Sequence, residues 1–253
     1  MHKRDHELER AVQRGDIRGV AQSLRAGASP NASTGVYPVL VAAIFSGETS
    51  IARLLLESGA NPLLGGPHHY QNPLIAAVDR GDAAIITLLL QKGVDPTRTR
   101  PGYATALELA ATKGRAEVVA CLLAGGVNPL SQDPMGRTAL HIAASAGHAD
   151  VVRILLEAGV PVDVETPQGM TPLAYALHCD PEEELDPILP EARYHVVEVL
   201  VSRGADVSHR DASGCSIDDY ARERQDAKLL CLLEPPADDT NQRDCDKKGN
   251  IVA

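Results

Sequence analysis

Apolar positions along the chain fall into pairs of short runs with helical spacing, each pair preceded by a polar turn. Residues 133–159 show the unit most plainly: DPMGRTALHIAASAGHADVVRILLEAG. Asp133, Pro134, Met135 and Gly136 predict a turn, and Thr138 stands where it can cap a helix. Leu140, Ile142, Ala143 and Ala144 supply the apolar positions of that helix, and Gly147 breaks it. The run 151–156 predicts a second helix, stopped by Gly159. Each helix is too short and its apolar stripe too narrow for independent stability, so the unit requires neighbours.

Those neighbours are written along the chain. The stop glycine recurs at Gly27, Gly59, Gly93, Gly126, Gly159 and Gly204, with spacings of 32, 34, 33, 33 and 45 residues. The mid-unit break recurs at Gly15, Gly47, Gly81, Gly114 and Gly147. A Thr-Ala-Leu-His-Ile-Ala-Ala core begins at Thr138, and Thr171-Pro172-Leu173-Ala174-Tyr175-Ala176 echoes it. Variants stand at Pro38-Val39-Leu40, Asn72-Pro73-Leu74 and Thr105-Ala106-Leu107. Two registered glycine series with this core resemble the ankyrin-repeat family from about Glu7 to Leu233. The resemblance implies an all-α repeat solenoid of helix-turn-helix units joined by β-hairpin or loop connections. Seven repeats are expected at about 7–31, 32–62, 63–96, 97–129, 130–163, 164–207 and 208–233, the first and last acting as caps. Residues 1–6 are expected to fray, and the polar stretch 234–253 to be disordered.

Composition narrows the partners. The chain has 253 residues, no Trp, one Phe and net charge −10. Residues 1–36 carry 6 basic and 4 acidic side chains, whereas residues 164–253 carry 9 and 19. That balance disfavours nucleic acid, which requires a basic stripe, and allows a basic protein partner at the C-terminal third. No apolar run approaches a membrane span, and the charged N-terminus does not read as a secretory signal. The five cysteines, at 121, 179, 215, 231 and 245, form no CxxC pair. Free thiols, a reducing cytoplasmic setting and a monomer are the expectation.

The sixth repeat departs from the period. Aligned backward from Gly204, Ala192 falls on Gly147 and residues 180–191 are left over. This insertion, DPEEELDPILPE, carries Asp180, Glu182, Glu183, Glu184, Asp186 and Glu191, no basic group and three prolines. Its carboxylates suit attraction of a basic partner, although a drifted repeat loop is the plain alternative.

The resemblance implies that partners meet a concave face made of first helices and hairpin tips. By register, that face includes Tyr37, Phe45, Asp79, Arg80, Lys113, Arg137, Met170 and His178, with His68, His69, Tyr70, Tyr103 and Met135 at the tips. Phe45 is either a contact residue or packs on Tyr37 and Ile44. His141 and His148 occupy slots where the family uses histidine structurally. His178, Cys179 and His195 have ligand-type side chains but no fixed metal spacing, so no metal or cofactor is assigned. G-x-S-x-G, P-loop and HExxH motifs are absent, and no catalytic residue is assigned. The expected function is non-catalytic protein binding. The alternatives are an inhibitor or immunity protein occluding a basic enzyme or toxin, and an enzyme or small-molecule binder using the groove.

Overall fold

The structure is a computed structural model and describes residues 3–33, 35, 37–65, 72–97, 104–177, 191–210, 214, 216–223 and 226–233. It divides into two compact units, Met1–Pro129 and Leu130–Ala253. Among its described residues unit 1 contains four helix pairs: α1 (Lys3–Gln13) with α2 (Ile17–Arg25), α3 (Val39–Phe45) with α4 (Thr49–Glu57), α5 (Pro73–Arg80) with α6 (Ala83–Gln91), and α7 (Ala106–Thr112) with α8 (Ala116–Ala124). Those of unit 2 contain three: α9 (Ala139–Ser145) with α10 (Ala149–Glu157), α11 (Pro172–Leu177) with α12 (Glu191–Ser202), and α13 (Ile217–Glu223) with α14 (Ala227–Leu233). The described residues hold no strand. Antiparallel bridges Ser33–Pro38, Gln132–Thr138 and Arg210–Ser216 close the hairpins before α3, α9 and α13.

Local chemistry sets the helix starts. Asn72 and Thr105 accept from the backbone N–H groups of Leu74 and Glu108 at 2.9 and 3.1 Å. Glu108 reaches back to the Thr105 N–H at 3.0 Å, completing a capping box. In unit 2 His141 takes the acid's place: its Nδ1 accepts from the Thr138 N–H at 3.1 Å. Asp219 does the same for Ser216 at 2.9 Å. The mid-unit and stop glycines of the two series all have positive φ, where other residues are strained.

Among the described residues the main packing runs between neighbouring repeats, as stacked repeats require. In unit 1 the first helices α1, α3, α5 and α7 pack in succession, and the second helices α2, α4, α6 and α8 form a second row. In unit 2 the rows are α9, α11, α13 and α10, α12, α14. Fully buried Leu40, Ile51, Leu55, Ile85, Leu89, Leu107, Leu122, Leu140 and Leu155 fill the space between them. Burial of each such side chain contributes about 1.5–3 kcal/mol.

Three expectations change. Helix α1 begins at Lys3, inside the segment expected to fray, and the Asp5 carboxylate accepts from the Ser29 N–H at 2.9 Å. Glu191 does not belong to a free acidic loop. It opens α12 and pairs with Lys228 at 2.7 Å, while the rest of the insertion lies outside the described residues. Cys121 is a free thiol, but Cys231 is disulfide-bonded, so the expectation of free thiols fails there.

The alignment of Ala192 on Gly147 holds in space in a different way. Ala192 sits within α12, which extends three residues farther toward its N-terminus than the register of α10. A Cβ on Gly147 would stand 3.0 Å from the Ala192 Cβ. Gly147 therefore answers two demands, a φ of 76° and close approach of the next repeat.

Candidate protein-binding face

In unit 1 the residues just before each mid-unit glycine stand at the C-terminal ends of α1, α3, α5 and α7. Helix α3 buries Val39, Leu40, Val41, Ala43 and Ile44, which leaves Ala42 and Phe45, three apart, on the less covered side. Phe45 is half-buried and meets Tyr37 edge-on, with ring centroids 5.5 Å apart and planes at 66°. Phe45 is thus both packed on Tyr37 and partly open to water. Two residues beyond it, a Cβ on Gly47 would stand 2.5 Å from the Arg80 Nη2. The Arg80 guanidinium accordingly lies beside the end of α3, and it forms no ion pair with any described residue. Asp79 is not a free acid: Lys113 Nζ lies 2.8 Å from its Oδ1.

Unit 2 arranges its counterparts differently. Met135 is 60% exposed at the tip of its hairpin. The Asp133 Oδ1 accepts from the Met135 and Arg137 N–H groups, both at 2.9 Å, and Oδ2 accepts from Arg137 Nε at 2.8 Å. Arg137 is therefore held by its own turn. Because Nδ1 of His141 is an acceptor, its Nε2 carries the proton and donates to the Met170 carbonyl at 3.1 Å. His209 Nε2 lies 2.8 Å from the Gly169 carbonyl, so imidazoles from two neighbouring repeats grip this hairpin. Burial pushes the His141 pKa down, against the opposing hydrogen bonds to the Met170 and Val164 backbone. His141 is structural, as its slot implied. Glu108 is buried in its capping box.

Tyr175 escaped the sequence reading. It is half-buried on α11 and sits edge-on to His141 at 5.2 Å, with burial raising its pKa. Counting from Thr171 places it in the column of Ala42, Ala76, Leu109 and Ile142. Leu63 and Leu64, 59% and 37% exposed, were likewise not singled out. His68, His69, Tyr70, Tyr103, His178 and the acids Asp180, Glu182, Glu183, Glu184 and Asp186 lie outside the described residues. Among the described residues, no group of three or more His, Cys, Asp or Glu is placed to hold a metal. Nor is any helix there long and apolar enough to cross a membrane.

Repeating helix pairs with these caps and glycines coincide with a family model of ankyrin repeats in three copies, matched over residues 8–100 and 107–211. The chain belongs to the ankyrin-repeat family. The crystal structure of the human ASB11 ankyrin repeat domain is 28% identical, with a TM-score of 0.70, over 91% of this chain and 99% of that one. The ankyrin repeat domain of Bcl-3, a unique member of the IkappaB protein family, is 22% identical, with a TM-score of 0.68, over 90% of this chain and 98% of that one. At that identity the likeness concerns the fold alone. No curated protein matches the chain. The ankyrin-repeat domain is a general protein–protein interaction module, and the family is typically non-catalytic.

Proposed function

We propose that this ankyrin-repeat domain binds a protein partner, without catalysis, through its first-helix face and hairpin tips. The observation that carries the reading is the half-exposed Tyr37–Phe45 pair, with the Arg80 guanidinium beside Gly47 at the end of the helix that carries Phe45. Aromatic and arginine side chains that are partly covered before binding are the usual anchors of an interface. In unit 2, Met135, exposed at its tip, and Met170 are the candidate contacts. Capture of the partner from native lysate, with identification by mass spectrometry, supplies the ligand. Phe45→Ala should then weaken its binding by about 2 kcal/mol, roughly 30-fold, with the helical circular dichroism spectrum retained. Unchanged affinity for both Phe45→Ala and Arg80→Ala would overturn the proposal.

A second reading rests on charge. Unit 2 carries 11 basic and 23 acidic side chains, and an inhibitor or immunity protein for a basic enzyme or toxin would use that excess. Deleting 180–190, which spares Glu191 and its Lys228 partner, should slow association with such a partner and flatten its salt dependence. Equal rates and equal salt slopes would leave only a drifted loop. The disulfide at Cys231 removes the free-thiol argument for a cytoplasmic setting. The proposal therefore concerns binding and not location.

A further inference from the structure

The first-helix ends of unit 1 carry a chemistry that the net charge of the whole chain hides. Unit 1 holds 13 basic and 11 acidic side chains, against a net charge of −10 for the chain. The residue immediately before the mid-unit glycine is Arg14, Ser46, Arg80 and Lys113 in its four repeats. Basic residues at a helix C-terminus complement the dipole, which accounts for their being tolerated there. It does not account for their company. Lys113 already has Asp79 at 2.8 Å, whereas Arg14 and Arg80 are exposed and form no ion pair with a described residue. Glu48, whose Oε1 would stand 2.7 Å from a Cβ on Gly15, comes within ion-pair reach of neither. Between these two arginines in the repeat order stands the Tyr37–Phe45 pair, half-buried and edge-on.

We infer that this part of unit 1 receives an acidic segment of a partner protein that carries an aliphatic side chain next to its carboxylates. The inference rests on the first-helix face being the binding face and names the chemistry of what binds there. A carboxylate meets the planar guanidinium of Arg80 through two parallel hydrogen bonds, a geometry lysine does not offer. The neighbouring aliphatic side chain lies against the exposed parts of Phe45 and Tyr37 and removes them from water. A basic segment would bring like charges to Arg14 and Arg80. Single-stranded nucleic acid could stack on the aromatic pair, but two unpaired arginines neutralise few phosphates and the chain is acidic.

The test uses the full chain and four fluorescent probes: short repeating peptides of Glu-Glu-Leu, Glu-Glu-Ser and Lys-Lys-Leu, and oligothymidylate. Anisotropy titrations at low and physiological ionic strength should show the Glu-Glu-Leu peptide binding tightest, with affinity falling as salt rises. Arg80→Glu should weaken it by about tenfold or more, Arg80→Lys by less, and Phe45→Ala by about tenfold, each with an unchanged circular dichroism spectrum. Equal binding of Glu-Glu-Ser overturns the aromatic part of the inference, and equal affinity of Arg80→Glu overturns the charge part. Tighter binding of Lys-Lys-Leu that still depends on Phe45 overturns the acidic partner while leaving the first-helix face as the binding face. Tighter binding of oligothymidylate overturns the protein partner altogether. Absence of Glu-Glu-Leu binding to the unmutated chain also overturns the inference, and the native partner's sensitivity to Phe45→Ala then decides the face separately.

Discussion

Just before its mid-unit glycines unit 1 presents Arg14, Ser46, Arg80 and Lys113, whereas in unit 2 Ala146 precedes Gly147. Unit 1 has 13 basic and 11 acidic side chains, and unit 2 has 11 and 23. The capping slot diverges as well, with Glu108 in unit 1 and His141 and Asp219 in unit 2. Yet the cores are interchangeable in kind: Leu107 and Leu140 fill the same register and are both almost wholly buried. The repeat thus dictates what is buried and leaves the exposed positions free to take opposite charge.

If the core is common to both units, equivalent cavities should cost alike. Leu107→Ala in unit 1 and Leu140→Ala in unit 2 should each lose roughly 2–5 kcal/mol in urea unfolding. Glu157→Ala, exposed and paired with Arg203 at 3.3 Å, should lose about 0.5 kcal/mol or less. A loss at one leucine only would mean that the two units do not share a register.

One inter-repeat bond is built differently in each unit. Asp82 caps α6 through the Ile85 N–H at 3.0 Å and accepts from the Thr49 hydroxyl at 2.5 Å. Asp226 caps α14 through the Leu229 N–H at 3.0 Å and accepts from the Tyr194 hydroxyl. Tyr194 stands in the register of Thr49 but is buried. Asp226→Ala removes a helix cap and a hydrogen bond that are both buried and should cost about 2–3 kcal/mol. Asp82→Ala, whose site is more open, should cost about 1–2 kcal/mol. Equal losses in thermal unfolding would remove burial as the distinguishing factor.

The capping slot yields the smallest and most selective contrast. Burial holds the His141 pKa below its ordinary value, so below about pH 6.5 the unfolded chain binds this proton more readily than the folded one. The contribution is complete above that pH and is lost as pH falls toward the lowered folded value. His141→Glu, which copies the slot of unit 1, should flatten this part of the stability profile between pH 7 and about pH 5. An unaltered profile would show that His141 does not report on folding.

Much of this was legible in advance because the determinants are local. Gly15, Gly47, Gly81, Gly114 and Gly147 mark turns that only their φ values permit, and the Leu140 register follows from helical spacing. Thr138 at its cap and His141 on the next hairpin also agreed with expectation. What was missed depends on neighbours in space. The pairings of Asp79 with Lys113 and of Glu191 with Lys228 join different repeats, and neither spacing nor residue type announces them. Tyr175 was hidden because the register pointed to the residues just before the mid-unit break, whereas Tyr175 stands in a column otherwise apolar, with Ala42, Ala76, Leu109 and Ile142. The bond at Cys231 had no signal in cysteine spacing.

The claim that the first-helix face carries binding is tested most directly by hydrogen exchange of the full chain with and without its captured partner. The account predicts slowed exchange at the ends of α3, α5 and α7, around Phe45, Arg80 and Lys113, with the second helices unchanged. Protection confined instead to α4, α8 and α10, around Arg53, Glu117 and Arg153, would contradict it.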